Sequence, residues 1–255
     1  MIQPAAYIRA LADGLSSRIS LYEKSPVLAL QRSSGTWTLK GHNGAVEAPK
    51  VILAVNGHAE SFGFFKRRLM HVFTYASMTR AMTETQINTL GGERRWSVTP
   101  ADPMGVTVRR ISGTGGDRIV VRSRFTYNPS MQVSDRSLQS IAMLHRRKFR
   151  DRFDTLPDLE FEYCWGGHLC LSWNNVPAFG EIDEGIFSAC CQNGLGTAKG
   201  TLSGLAAAEL ASGVESDTVA ALLAEAEPRP LPPEPIAWLG ANATMRFKEW
   251  RAGRE

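Results

Sequence analysis

An α+β fold, with a mixed and mainly antiparallel sheet and flanking helices, is what this 255-residue sequence predicts. Three observations carry that reading. Short β-branched runs separated by turn residues crowd the first half, one long amphipathic helix follows from Asp135 to Phe153, and a lone strand, glycine turn and helix runs from Ile186 to Gly213. No second strand follows that helix to complete a parallel βαβ unit.

Composition sets the bounds. With 43% hydrophobic and 21% charged residues the chain is close to average soluble usage, which excludes disorder, and 23 Gly with 13 Pro excludes collagen-like and low-complexity classes. A chain of this length can bury a core as one large domain or two small ones. The net charge of +4 is mild and does not by itself imply nucleic acid. No apolar stretch approaches a bilayer span and the start, MIQPAAYIRALADG, lacks a basic region followed by an apolar one, so a cytoplasmic protein is expected. Cys164, Cys170, Cys190 and Cys191 form no CxxC pair and read as reduced, mostly buried thiols.

Pro4 to Leu11 reads as a short helix, with Tyr7, Ile8, Leu11 and Leu15 on one side and Gly14 placed to end it. Ile19–Tyr22, Val27–Gln31 and Thr36–Lys40 are strand candidates, and His42-Asn43-Gly44 holds an Asn-Gly hairpin signal. Val51–Val55 is apolar without alternation, the pattern of a central strand covered on both faces. From His71 to Arg124 the pattern is a strand, a helix Thr83–Leu90 closed by Gly91-Gly92, and strands at Trp96–Thr99, Val106–Arg109 and Ile119–Arg122, the last two joined by a turn at Ser112–Gly116.

Ser134 or Asp135 caps the long helix, whose Leu138, Ile141, Ala142, His145, Phe149 and Phe153 share a face. Its cations Arg146, Arg147, Lys148, Arg150 and Arg152 read as a solvated face favoured by the helix dipole, since no aromatic stacking pattern accompanies them. A short helix Asp217–Ala226, a stiff Pro228–Pro235 connector and an amphipathic tail Ile236–Arg254 complete the chain.

The chemistry concentrates in the strand Ile186–Cys190, the turn at Gly194 and Gly196, and the helix Thr197–Ala211 stopped by Gly213. Glycines let a ligand touch the backbone, and a helix start offers free N–H groups and a positive dipole end. Gly200, Gly204 and the alanines leave one helix face nearly bare. The spacing Gly194-x-Gly196-x-x-x-Gly200 misses the nicotinamide-type fingerprint by one position as well as by topology. No carboxylate pair, Ser-His-Asp pattern or metal-ligand spacing stands out, so no metal site is expected.

Cys164-Trp-Gly-Gly-His168, then Asn174-x-x-Pro-x-Phe-Gly180, then Asn193-Gly-Leu-Gly196 before a helix resembles the C-terminal half of the FAD-dependent D-amino-acid oxidase superfamily. The likeness is greatest to glycine oxidase-like and gamma-glutamylputrescine oxidoreductase-like amine oxidases. Gln3-Pro4 opening a helix, Val51-Ile-Leu-Ala-Val-Asn-Gly57 and Leu231-Pro-Pro-Glu-Pro235 fit the same pattern, so the resemblance spans nearly the whole chain.

That resemblance implies FAD, a small amine or amino-acid substrate, and hydride transfer from its C–N bond to the flavin. It places Val27, Ala54, Asn56 and Gly57 near the FAD adenosine portion, and Gly194, Leu195, Gly196 and Thr197 against the flavin ring. A helix start there suits the negative charge of a reduced flavin, and Lys199 could add a cation. His71, Tyr75, Trp165, Trp173 and Asn174 are the catalytic candidates; Arg109, Arg122 and His168 are the substrate-binding candidates. Residues 1–60 and 166–215 would belong to the FAD domain, 61–165 to a substrate domain with its antiparallel sheet and basic helix, and 216–255 to the closing helix, connector and tail.

The Gly-x-Gly-x-x-Gly unit with which the family begins does not occur in these residues. The chain therefore resembles a truncated family member. Three readings follow: a shortened or decayed product, one subunit of a split enzyme whose partner chain supplies the nucleotide-binding unit, or a non-catalytic binding or scaffold protein reusing the substrate domain. Each leads to the expectation of exposed apolar surface on Val51–Val55 and on the helix from Thr197 to Ala211.

Overall fold

The computed structural model describes residues 2–253. In chain order the elements are α1 (Pro4–Leu15), β1 (Ala29–Ser33), β2 (Thr36–Lys40), β3 (Ala45–Ala48), β4 (Val51–Leu53) and a 3-10 turn (Asn56–Phe62). Next come β5 (Met70–Thr79), α2 (Glu84–Leu90), β6 (Trp96–Val98), β7 (Thr107–Ile111), β8 (Arg118–Tyr127) and α3 (Asp135–Arg150). The chain ends through β9 (Phe161–Leu171), β10 (Ala178–Asp183), β11 (Ile186–Cys190), α4 (Gly196–Ser212), α5 (Asp217–Leu223) and α6 (Ile236–Ala252). This is the mixed fold of helices and mainly antiparallel sheets that the sequence predicts. The chain divides into two compact units, one formed by residues up to Met70 with Cys170–Leu231, the other by His71–Leu169 with the residues from Pro232 onward.

The first unit holds two small sheets. β1, β2 and β3 form an antiparallel meander, its second hairpin turning at the Asn43-Gly44 signal. The other sheet runs β10-β11-β4, with β10 antiparallel and β4 parallel to β11. Trp37, Val51, Leu53, Ile186, Cys190 and Cys191 share one buried cluster. The Trp37 indole N–H donates to the Glu184 carbonyl at 2.9 Å, which satisfies its one polar atom. Ala206 and Ala207 of α4 are fully buried, so the small-residue face packs closely. Gly213 closes the helix in the left-handed conformation, at φ 73°.

Five expectations are corrected here. Ile19–Tyr22 is not a strand: it pairs with no strand among the described residues and leaves Ile19, Leu21 and Tyr22 exposed. Strand-forming residue types do not make a strand without a partner for the backbone. Gly14 does not end α1, which runs on to Leu15, where the Ser16 N–H and hydroxyl both donate to the Asp13 carbonyl. The run Val51–Val55 is a strand for only three residues and lies at the edge of its sheet. Val51 and Leu53 are buried while Ile52 is 40% exposed, so only one face is covered among the described residues. α3 closes at Arg150, although Phe153 still stacks on Phe149 with ring centroids 4.8 Å apart. α5 stops at Leu223, and the Arg254 end of the expected tail lies outside the described residues. The exposure of Ile52, Val55, Leu202 and Leu205 agrees with the apolar surface expected on these elements.

The second unit is a five-stranded sheet ordered β6-β7-β8-β5-β9, antiparallel at β6/β7, β7/β8 and β5/β8. α2 opens on a reciprocal Thr83–Gln86 capping box. Ile141, His145 and Phe149 are the buried residues of α3. Phe149 joins Val106, Val108, Ile119 and Val121 in one cluster, and Ile141 joins Phe73 and Tyr75 in another, which lays α3 over one face of the sheet. α6 covers an edge. Pairing of β7 with β8 stops at Thr107↔Arg122, and beyond it Asn242 accepts from the Tyr127 N–H and donates to the Tyr127 carbonyl, both at 3.1 Å. One carboxamide thus continues the ladder where the neighbouring strand has ended. No described helix is long and apolar enough to cross a membrane.

His145 is fully buried, with its Nδ1 2.8 Å from the Ser77 hydroxyl, and burial lowers its pKa from 6.5 to about 4. Between those values the unfolded chain binds a proton that the fold refuses. Stability therefore rises with pH across that window and is lost as pH falls through it, by at most about 3 kcal/mol for a shift of this size. Urea denaturation at about pH 7 and about pH 4.5 checks this, and His145→Gln should flatten the difference; an equal pH response in variant and parent would rule the histidine out.

Candidate functional site

The parallel pairing of Ser188 with Leu53 brings the carboxyl ends of β11 and β4 side by side. In sheets with parallel strands that edge is where ligands bind. The Asn56 side-chain oxygen accepts the Cys191 N–H at 2.9 Å, tying the exit of β4 to the exit of β11. Cys191, Asn193 and Gly194 then take left-handed conformations, at φ 61°, 50° and 82°. The Asn193 carboxamide braces this turn: it accepts from the Ser172 N–H at 2.9 Å and donates to the carbonyls of Val176 at 3.0 Å and Cys191 at 3.3 Å. Gln192 is braced as well, donating to the Ala189 carbonyl and accepting from Ser203.

The turn is held from behind and open in front. Among the described residues a Cβ added at Gly194 or Gly196 would meet no atom within 4 Å and no side chain caps the start of α4, while Leu195 is 59% exposed. Gly57 is buried beside Asn56, and Ala54 is exposed just past β4. Lys199 sits in the first turn of α4, half-exposed, with its backbone N–H on the Leu195 carbonyl. Val27 is exposed ahead of β1, in the other sheet of the unit. Behind the turn the hydrogen bond with Cys191, and then burial, push the Cys170 thiol up, and burial pushes Cys190 up. Neutral, buried thiols of this kind are not nucleophiles.

In the second unit the strand register divides the candidates between two faces. His71, Phe73, Tyr75 and Ser77 alternate onto the face covered by α3, with Cys164, Gly166 and His168 of β9 beside them. His71 Nδ1 lies 3.2 Å from His168 Nε2, and His168 stands 5.2 Å from the Phe73 ring. The Tyr75 hydroxyl pairs with Thr126 at 2.7 Å, and burial raises its pKa. A Cβ on Gly166 would come within 3.1 Å of the Tyr75 ring, so this glycine is what lets β9 lie flat there. His71, Tyr75 and His168 therefore form a packed layer.

The opposite face carries Ala76 and Met78 of β5, Val120, Arg122 and Phe125 of β8, Thr107 and Arg109 of β7, and Trp165 of β9. Arg122 donates to the Thr107 hydroxyl at 2.8 Å and lies 5.1 Å over the Phe125 ring. Burial, and then the nearby Arg109, lower its pKa. Arg109 is exposed and Trp165 is 42% exposed, so this face offers two cations beside an aromatic surface. Trp173 and Asn174 belong to the first unit. Trp173 is 61% exposed, while the Asn174 carboxamide donates to the Glu227 carbonyl and accepts the Arg229 N–H, holding the strand-free segment before the prolines. Among the described residues no cluster of His, Cys, Asp or Glu could hold a metal ion.

Sequence reasoning missed Asn193, Gln192 and Ser172 as the brace of the turn, and Thr107 and Phe125 as the bed of Arg122. Asn193-Gly194 was visible as a turn signal. Replacing Asn193 with Ala removes three hydrogen bonds to backbone and leaves a β-carbon residue at φ 50°, which should cost about 2–4 kcal/mol in urea denaturation. A loss under about 0.5 kcal/mol would show that the brace is dispensable.

Three comparisons bear on this arrangement. The family model for FAD dependent oxidoreductases (DAO) matches residues 1–210. No curated protein matches the chain. Among solved structures, glycine oxidase from Geobacillus kaustophilus aligns at a TM-score of 0.58 and 21% identity, over 77% of this chain and 50% of that one. L-proline dehydrogenase from P. horikoshii aligns at 0.60 and 17%, over 84% and 56%, and iminodiacetate oxidase from Chelativorans sp. BNC1 at 0.59 and 15%, over 82% and 56%. At these identities the likeness is one of fold, and the chain spans about half the length of the solved relatives it matches.

Proposed function

We propose, from the premise that this chain belongs to the family of FAD dependent oxidoreductases, that it serves the oxidation of a C–N bond in a small amine or amino acid bearing a carboxylate. The observation that carries the reading is the braced, open glycine turn at the carboxyl ends of β4 and β11. Three similar structures are, by name, enzymes of glycine, L-proline and iminodiacetate, each an amine with a carboxylate.

The residues present fit a flavin. Open space stands where Gly194 and Gly196 would carry β-carbons, so a planar ring could approach the backbone, and the uncapped start of α4 presents N–H groups and a positive dipole end. Bound there, FAD would supply the hydride acceptor. On this reading Gly194, Leu195, Gly196 and Thr197 face the ring, with Lys199 adding positive charge. Asn56, Gly57, Ala54 and Val27 attend the nucleotide portion.

The second unit contributes substrate recognition. Arg122, bedded on Thr107 and Phe125, and the exposed Arg109 would hold the substrate carboxylate by charge-assisted hydrogen bonds, with Trp165 as an aromatic wall of the same sheet face. His71, Tyr75 and His168 act as positioning residues in the layer below; Trp173 and Asn174 do so around the strap at Glu227–Arg229. The pyrophosphate-holding Gly-x-Gly-x-x-Gly unit is supplied, on this proposal, from outside these 255 residues.

FAD titration followed by flavin fluorescence, with the chain alone and with co-purified products of neighbouring genes, tests the proposal. Saturable binding is expected in at least one preparation, weakened about tenfold or more by Gly196→Val, which fills the open space. Adding glycine, L-proline or iminodiacetate without oxygen should then bleach the visible flavin band. Arg122→Gln should raise the amino-acid concentration needed by about ten- to a hundredfold without changing FAD affinity, as expected for a lost hydrogen bond to a charged group. Flavin binding in neither preparation would reject the reading in favour of a flavin-free scaffold.

A further inference from the structure

The second unit contains a cavity of about 640 Å³, bounded by α3, α6 and β8, that neither the glycine turn nor the Arg109–Arg122 face uses. Four arginines line it: Arg124, Arg136, Arg147 and Arg246, with the hydroxyls of Ser137 and Ser140 between them. The placing of Arg124 is a consequence of the β-bulge. Thr74 pairs with Phe125 and Tyr75 with Ser123, so Arg124 is the unpaired extra residue, at φ 67°, and leaves the alternation of β8.

A single carboxylate serves the inner part of this cluster. Glu249 lies 3.3 Å from Arg124, 2.7 Å from Arg246 and 3.4 Å from Lys148, and Arg246 also donates to the Phe125 carbonyl at 3.0 Å. Those bonds fix two guanidinium groups in place. Arg136 and Arg147 have no carboxylate partner among the described residues, so the cavity holds far more positive charge than its own acid neutralises. Burial lowers the pKa of Arg124, and after the opposing effect of Glu249 the neighbouring Arg246 and Arg147 lower it further. Like charges gathered in one concavity repel and focus a field that a multivalent anion relieves.

We propose that this cavity binds a small phosphorylated ligand, its phosphoryl oxygens taken by Arg136 and Arg147 at the mouth and by Arg124 and Arg246 within. Planar guanidinium groups match phosphate geometry bidentately, and the serine hydroxyls complete the shell. The site is independent of the flavin and amino-acid reading, because it shares no lining residue with either surface.

Equilibrium dialysis of the full chain against radiolabelled pyrophosphate, at constant ionic strength, tests this. One saturable site is expected, weakened about tenfold by Arg136→Gln and again by Arg147→Gln, as befits the loss of a charge-assisted hydrogen bond. Both side chains are on exposed helix positions, so the urea midpoint should not move. Arg150→Gln, an exposed position of the same helix outside the cavity, should leave binding unchanged. Absence of saturable binding at about millimolar pyrophosphate, or equal weakening by all three variants, would overturn the proposal, the latter by revealing diffuse attraction to a basic surface.

Discussion

The parallel pairing of Val51–Leu53 with Ile186–Ser188 is the contact on which the first unit depends. It joins segments far apart in sequence, and a parallel pair cannot be closed by a short turn. Everything placed at the glycine turn follows from it. Asn56 can reach the Cys191 N–H only because both strands end at the same edge, and the left-handed residues Cys191, Asn193 and Gly194 are tolerated because carboxamides and Ser172 hold them. Small residues complete the arrangement: fully buried Ala206 and Ala207 let α4 pack closely, with its uncapped start following directly on the turn.

In the second unit the corresponding constraint is the two-sided sheet. Period-two alternation sends Phe73, Tyr75 and Ser77 under α3, and Ala76, Arg122 and Trp165 to the other side. The bulge at Arg124 breaks that alternation once, and α6 then takes the free edge of β8 through Asn242 and Arg246. Charge is distributed unevenly as a result. Arg110 and Asp117 are almost fully buried as a pair, Arg122 is half-buried on Thr107, and the α3–α6 cavity gathers cations around Glu249. Burying such groups is tolerable only where opposite charge meets them, which makes Arg110 with Asp117, 3.5 Å apart, a structural pair and the unmatched arginines candidates for ligands.

Much of the glycine turn was legible before the fold was. Ile186–Cys190 followed by Gly194 and Gly196 is a local pattern: a β-branched and apolar run, residues suited to positive φ, and a helix of small residues. The Trp165-Gly-Gly motif was equally visible, and its Gly166 has a local steric reason in the nearby Tyr75 ring. The candidate polar residues were a different matter. His71, Tyr75 and His168 are chemically suited to a site, yet strand parity sends them to the packed face; Arg109, Arg122 and Trp165 have the opposite parity. No spacing rule applied to separate strands could distinguish the two, because facing depends on register across β7, β8, β5 and β9.

The sequence by itself determined the elements whose causes lie within a few residues: the capping box at Thr83, the Asn43-Gly44 hairpin, the Gly213 stop and the amphipathic stripe of α3. It likewise determined the family resemblance, since those motifs are contiguous. Only the tertiary structure decided that Ile19–Tyr22 has no strand partner among the described residues, that Val51–Leu53 is an edge with Ile52 exposed, and that Asn193, Asn174 and Asn242 spend their carboxamides on distant backbone. The physical reason is the range of the forces involved. Turn and cap energetics are local, whereas strand pairing, face assignment and the meeting of charges such as Arg124, Arg246 and Glu249 depend on backbones brought together across long loops.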